Sequence, residues 1–186
     1  MKNIAIFASG SGSNARKIME YFAERNDVSV QIVISNRADA GVLKIAENFG
    51  VDSIVIQRRT FYESEDVLSV LNKYEISLIV LAGFLWLVPP YLVEAYQGRI
   101  VNIHPALLPK YGGKGMHGIH VHEAVKKANE KESGITIHFV NDHYDEGQII
   151  FQARCQLSPS DAPEDIARKV LQLEHKHYPE IIDQLL

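Results

Sequence analysis

The chain has almost no cysteine: Cys155 is the only one among 186 residues. A lone cysteine forms no intrachain disulfide, and the natural reading is a reducing compartment. Cys155 lies in the alternating stretch Ile150 to Leu157, which reads as a strand position rather than a nucleophile. No run approaches the ~20 apolar residues of a membrane span, so no membrane partner is expected. The N-terminus runs straight into a strand pattern, without a charged leader and cleavage site. These absences place the chain in the cytoplasm. Positive charge is also short. Nineteen Lys and Arg stand against 23 Asp and Glu, a formal net charge of −4. That leaves no basic footprint, and no nucleic acid is expected as partner. Small anions remain open, because local loops bind phosphate on a mildly acidic protein.

What is present is an ordinary globular composition, 46% apolar and 23% charged. The length suits one domain over 1–186, as a monomer or a homodimer. Strand and helix signals alternate along it. Strands are expected at 3–8, 30–34, 53–56, 78–82 and 100–103. The run Leu78-Ile79-Val80-Leu81-Ala82 is continuously apolar, as in a central strand buried on both faces. Helices are expected at 15–25, 42–49, 64–74, 89–96 and 120–129, with Gly50 as a C-terminal cap and Ser64 as an N-cap. Two alternating stretches, 135–140 and 148–157, flank a long turn and predict an antiparallel pair. Ser160 or Asp161 caps a last helix, which Pro179 kinks or interrupts. The fold class is α/β: a Rossmann-like, mostly parallel sheet with helices on both faces and an antiparallel C-terminal extension. Ligands of such sheets bind at the carboxyl ends of the strands.

Two loops at expected strand ends carry chemistry. Ala8-Ser9-Gly10-Ser11-Gly12-Ser13-Asn14 joins the first strand to the first helix. Glycines let main-chain N–H groups approach a ligand, and the helix N-terminus favours an anion. The G-x-G-x-x-A spacing is met, but the second strand ends in Ser35-Asn36-Arg37 with no carboxylate for a ribose before Asp39. One phosphate group fits better than a dinucleotide. The second loop is Asn102-Ile103-His104-Pro105-Ala106-Leu107-Leu108-Pro109. An amide donates to a developing oxyanion, and an imidazole moves a proton near neutral pH. The prolines stiffen the turn. Asn102 and His104 share a side if the strand persists to His104. A carboxylate beside that imidazole would raise its pKa; Asp142, Asp145 and Glu146 all qualify. His117, His120 and His122 do not have a ligand spacing, and no metal is expected. They read as surface or loop-packing histidines, and His138, His175 and His177 as structural.

Taken together, the motifs resemble the folate-dependent formyltransferases. The resemblance rests on Asn102 to Pro105 with Leu107 to Tyr111, Ser9 to Asn14, and Leu81-Ala82-Gly83-Phe84. His138-Phe139-Val140 with Asp145, and Glu174-His175 before Tyr178-Pro179, complete the order. It spans residues 3 to about 180, essentially the whole chain. It implies formyl transfer from the co-substrate 10-formyltetrahydrofolate to the amine of 5-phosphoribosylglycinamide, a step of de novo purine biosynthesis. By the same resemblance Asn102, His104 and Asp145 are catalytic. Gly12, Ser13 and Asn14 bind the substrate phosphate, and Glu174 the ribose. Leu85, Trp86, Leu87, Val88, Asn102, Asn141, Asp142, His143, Tyr144 and Asp145 line the folate site. Some positions depart from the family pattern. Trp86 and Ser64 stand where arginines occur near the folate, and Leu171 stands where a polar residue supports the phosphate. Arg58 and Arg59 have no assigned place.

Overall fold

The computed structural model describes all residues, 1–186. Its strands are β1 (Lys2–Phe7), β2 (Val28–Ser35), β3 (Asp52–Val55), β4 (Ile76–Leu81), β5 (Ile100–His104), β6 (Glu132–Phe139) and β7 (Ile149–Gln156). The helices are α1 (Ser13–Phe22), α2 (Gly41–Asn48), α3 (Arg58–Glu63), α4 (Asp66–Lys73), α5 (Pro90–Ala95), α6 (Ile119–Lys127) and α7 (Pro163–Leu185). The strands form one seven-stranded sheet in the order β3-β2-β1-β4-β5-β6-β7. β1 to β5 run parallel, while β6 and β7 pair antiparallel. The α/β class, the parallel body and the antiparallel extension are those the periodicity predicts.

Alternation along the central strands sorts side chains to two cores. Ile4, Ile6, Leu78 and Val80 face α1, α2, α6 and α7, meeting Ile18, Val42, Val125, Val170 and Tyr178. Ala5, Phe7, Ile79 and Leu81 face the other way, meeting Phe61 of α3, Leu71 of α4 and Leu92 of α5. A strand with both faces buried needs no polar alternation, which is why 78–82 reads as one apolar run.

Three local expectations give way. The short α3 is an element that periodicity does not reveal, because Phe61 is its only buried side chain. Ser64 therefore ends α3 rather than opening α4; its Oγ still accepts the Asp66 N–H at 3.4 Å. The N-cap of α7 is Ala162, whose N–H is taken by the Asp165 carboxylate at 2.9 Å. Asp161 instead accepts the Ser158 N–H at 2.7 Å and pairs with Lys169. Pro179 does not interrupt α7, which runs on to Leu185. The buried Tyr178, Ile181 and Ile182 anchor the helix on both sides of it.

Candidate active site

The chain leaves β1 toward β2 and β3 on one side and returns to β4 on the other, so the loops after β1 and β4 diverge at their carboxyl ends. This is the switch point at which α/β sheets bind ligands. The two loops are tied together there. Ser9 N–H donates to the Gly83 carbonyl at 3.0 Å, and the buried Ser9 Oγ accepts the Leu85 N–H at 2.9 Å. Above them opens a cavity of about 840 Å³. That is toward the upper end of the ~300–1,000 Å³ usual for ligand sites.

At one end of the cavity stands the N-terminus of α1. Gly12 precedes it with φ 79 and no side-chain cap, so the first N–H groups of α1 are left for a ligand. A Cβ on Gly12 would lie 2.8 Å from Val42 Cα, so close packing on α2 demands glycine here as much as ligand approach does. Ser13 and Asn14 line the cavity next to it, and so does Glu174 of α7. Asn14 Nδ2 donates to Glu174 Oε2 at 2.5 Å. Burial pushes the Glu174 carboxyl above its usual range, and the Asn14 contact offsets part of this.

At the other end β5 persists to His104, and Asn102 and His104 face the same carboxylate. His104 Nδ1 is 3.4 Å from Asp145 Oδ2, and Asn102 Nδ2 is 3.5 Å from Asp145 Oδ1. Of the three carboxylates in that turn, Asp145 is the one that reaches both. Asp145 adopts φ 57, a left-handed conformation that aspartate tolerates better than most residues. Its Oδ2 also accepts the Gly113 N–H at 2.9 Å. His138, read from sequence as structural, belongs to this group. Its Nδ1 is 2.8 Å from the Phe139 carbonyl, which only accepts, so Nδ1 carries the proton. Its Nε2 lies 3.1 Å from Asn102 Nδ2 and 3.6 Å from Asp145 Oδ1.

The His104 ring is held on its other edge too: Nε2 donates to the Tyr111 carbonyl at 2.7 Å. The sequence predicts a histidine pKa raised by its carboxylate, and the structure reverses that sign. His104 is 3% exposed, and burial lowers its pKa; Asp145 and the Tyr111 carbonyl push upward without overcoming it. Burial also raises the Asp145 carboxyl, but His138, His104 and the Gly113 N–H together outweigh it and hold it below its ordinary value. Asp145 stays ionised.

The loop between these ends is fixed by more than its prolines. Thr136 Oγ1 donates to the Ala106 carbonyl at 2.7 Å and accepts the Leu108 N–H at 2.9 Å. Gln152 Nε2 donates to both Leu108 O and Thr136 Oγ1. Fully buried Tyr178 donates to the Leu81 and Val101 carbonyls, tying α7 to β4 and β5. Neither Thr136 nor Gln152 carries a motif; only their strand alternation points inward.

Leu85 to Val88 line the cavity opposite α1, together with His143, Tyr144 and Asp145. Asn141 and Asp142 are not brought to its wall. Asn141 Oδ1 accepts the His143 N–H at 3.0 Å, an Asx turn that shapes the segment, and Asp142 pairs with the His143 ring at the surface. Arg58, without a place in the sequence reading, lines the cavity and lies over the rings of Tyr62 and Trp86 at 5.3 and 5.5 Å. Arg59 points away and pairs with Glu63. Leu171 and the glycine-rich loop 113–118 complete the wall. His122, read as a surface or loop-packing histidine, is 5% exposed and lines the cavity as well.

Polar groups gathered at the carboxyl ends of a doubly covered parallel sheet define the kind of place where α/β enzymes handle small molecules. The particular kind is settled by comparison: residues 2–182 match the family described as Formyl transferase, and the chain belongs to that family. It is similar to a chloroplastic phosphoribosylglycinamide formyltransferase of Arabidopsis thaliana, 41% identical over 97% of this chain and 64% of that protein. A Vigna unguiculata relative of the same name is covered to 61%, so the chain spans just under two thirds of these plant proteins. A Bacillus subtilis phosphoribosylglycinamide formyltransferase is 36% identical over 100% of this chain and 95% of its own length. Among solved structures, the phosphoribosylglycinamide formyltransferase of Streptococcus pneumoniae superposes with a TM-score of 0.87. It is 37% identical, covering 100% of this chain and 99% of that one. Glycinamide ribonucleotide transformylase 1 of Geobacillus kaustophilus gives 0.89 at 34% identity, with 100% and 99% covered.

Proposed function

We propose that the chain transfers a formyl group from 10-formyltetrahydrofolate to the amine of 5-phosphoribosylglycinamide. The observation that carries this reading is the approach of Asn102 and His104 to one ionised carboxylate, within 3.5 Å, on the wall of a cavity with a phosphate-ready helix end. The relatives' names supply the acceptor, and the family supplies the group transferred.

The ribotide phosphate sits on the N-terminus of α1, held by Gly12, Ser13 and Asn14, and Glu174 takes the ribose hydroxyls. The folate lies along Leu85, Trp86, Leu87 and Val88 and against His143, Tyr144 and Asp145. Asn141 and Asp142 act through the shape of that turn. Arg58, stacked on Trp86, faces the acidic tail of the folate.

The amine attacks the formyl carbon, and negative charge gathers on the formyl oxygen. Asn102 offers it an N–H, since the 3.5 Å approach to Asp145 is at the limit of a hydrogen bond and yields to a stronger acceptor. One such donor contributes roughly 2.7–4 kcal/mol to a transition state. Neutral His104 takes the proton that the amine nitrogen loses. Its cation is then stabilised by Asp145, 3.4 Å from Nδ1. The same proton passes to the folate nitrogen as its bond to the formyl carbon breaks. One C–N bond forms, one breaks, and one proton changes nitrogen; neither a metal nor a covalent enzyme intermediate takes part. The half-buried thiol of Cys155 suits the reducing cytoplasm, where we place the reaction.

The test is an assay of purified protein with both substrates and separate detection of formylated ribotide and free formate. Ribotide formation is expected. Formate without formylated ribotide makes the protein a hydrolase, and no product from well-folded protein that binds both ligands overturns the reading.

A further inference from the structure

The helix α6 carries an imidazole that nothing in the protein uses. His122 is 5% exposed, lines the main cavity, and its Nδ1 is sequestered without a hydrogen-bond partner. Unpaired buried polar atoms are costly and rare in native proteins, and each calls for a cause. The same cavity wall holds another, Asn14 Oδ1. The remaining unpaired atoms, on Asn36, Ser133 and His175, belong to residues that do not line it.

We propose that His122 is a ribotide-binding residue, whose imidazole hydrogen-bonds the uncharged glycinamide or ribose part of the amine-bearing substrate. This rests on the formyl-transfer reading above. The placement comes from the two cores. α1, α6 and α7 share one face of the sheet, with Ala15, Val125 and Val170 in the same core. α1 and α6 both pack against α7. Asn14, Glu174 and His122 therefore rise from three adjacent helices. Trp86 and Val88, two of the residues expected to hold folate, belong to the opposite core.

Charge favours the uncharged part of the ribotide over its phosphate. Burial and the neighbouring His104 both hold the His122 pKa below its ordinary value. A neutral ring presents one donor and one acceptor, the pair that an amide or a hydroxyl answers. A half-turn of the ring exchanges Nδ1 with Cδ2 at almost no change in shape, so either edge nitrogen can be offered to the cavity.

The experiment compares wild type, His122→Leu and His122→Gln by steady-state kinetics with each substrate varied, by calorimetric binding of phosphoribosylglycinamide alone, and by thermal melting. In His122→Leu the KM and Kd for phosphoribosylglycinamide are expected to rise about tenfold or more. The KM for 10-formyltetrahydrofolate should stay within about twofold. The melting temperature should hold or rise, because no internal hydrogen bond is lost. His122→Gln should recover part of the ribotide affinity. An unchanged ribotide Kd overturns the proposal, whatever happens to kcat. A lowered melting temperature or a failure to fold overturns it in favour of a structural role. Wild-type turnover separates the two claims: ribotide binding without formyl transfer sinks the reaction and leaves His122 to be judged on Kd, whereas no ribotide binding sinks both.

Discussion

At the α1 end of the cavity the groups that face a ligand are main-chain N–H groups and the hydrogen-bonded pair of Asn14 and Glu174. At the β5 end every reactive atom is a side chain held by something distant: Asn102 by His138, His104 by Tyr111, Asp145 by Gly113. The first end is set by backbone geometry and works as a rigid anchor. The second is a network in which protonation, hydrogen bonding and loop position depend on one another. Binding energy belongs at the anchor and rate at the network, and substitutions should separate along that line.

The largest effect belongs to the network. Replacing His104 with alanine should cut turnover by roughly 10²–10⁴-fold, the usual worth of a positioned acid–base group. The Kd for phosphoribosylglycinamide should stay within a few fold, because the anchor is untouched. Single-turnover kinetics alongside calorimetry measure both numbers. Equal losses in rate and in ribotide affinity would mean that the two ends are one unit.

Asp145→Asn sharpens the same contrast through pH. Burial lowers the His104 pKa and Asp145 opposes it, so removing the charge should lower that pKa further. NMR titration of the His104 ring reads this directly; an upward movement contradicts the assignment. The sign carries to stability. A histidine with a depressed folded pKa contributes stability that is fully present above the ordinary histidine pKa. That contribution is lost as pH falls through the folded value. Asp145, depressed in its own right, contributes stability present above the ordinary carboxyl pKa and lost below it. The variant should lack this second, more acidic loss.

At the anchor, Gly12→Ala puts a Cβ 2.8 Å from Val42 Cα at a φ of 79. A cost of about 1–3 kcal/mol is expected, roughly 2–12 °C in Tm for a chain of this size. The KM for the ribotide should rise while kcat at saturation falls far less. A kcat loss as large as that of His104→Ala would erase the distinction between the two ends.

The same distinction governs how much the sequence reveals. Most of the anchor is local: strand, glycine, serine and helix follow one another in Ile6 to Ile18, so hydrophobic period and turn chemistry expose it, whereas Glu174 comes from α7 and is supplied by the resemblance. The network is assembled from β5, β6 and the turns after each. Motif resemblance supplies Asn102, His104 and Asp145, but not the groups that hold them. Thr136, Gln152 and His138 look like ordinary strand residues, and their roles arise only when β6 pairs with β5 and β7. The direction of the His104 pKa shift is misread for a related reason. The neighbouring carboxylate is foreseeable from the turn, whereas 3% exposure is a property of the packed molecule. The short α3 is hidden because six residues with one buried side chain carry no period.

The smallest effect tests a part of the cavity that belongs to neither end. Arg58 has no carboxylate partner; its guanidinium lies over Tyr62 and Trp86, which with Phe61 and Phe84 form an aromatic cluster. Arginine on an aromatic platform keeps its edge N–H groups free for a planar anion. Arg58→Leu keeps much of the apolar stem and removes the cation. It should therefore raise the KM for 10-formyltetrahydrofolate about 3–10-fold, the ~0.5–1.5 kcal/mol of a partly exposed charged contact. kcat, ribotide KM and Tm should hardly move. The comparison that isolates the charge is a folate analogue without its glutamate carboxylates, for which wild type and variant should bind alike. A variant that loses affinity equally for both ligands would assign Arg58 to the platform, as packing for Trp86, and not to the acidic tail.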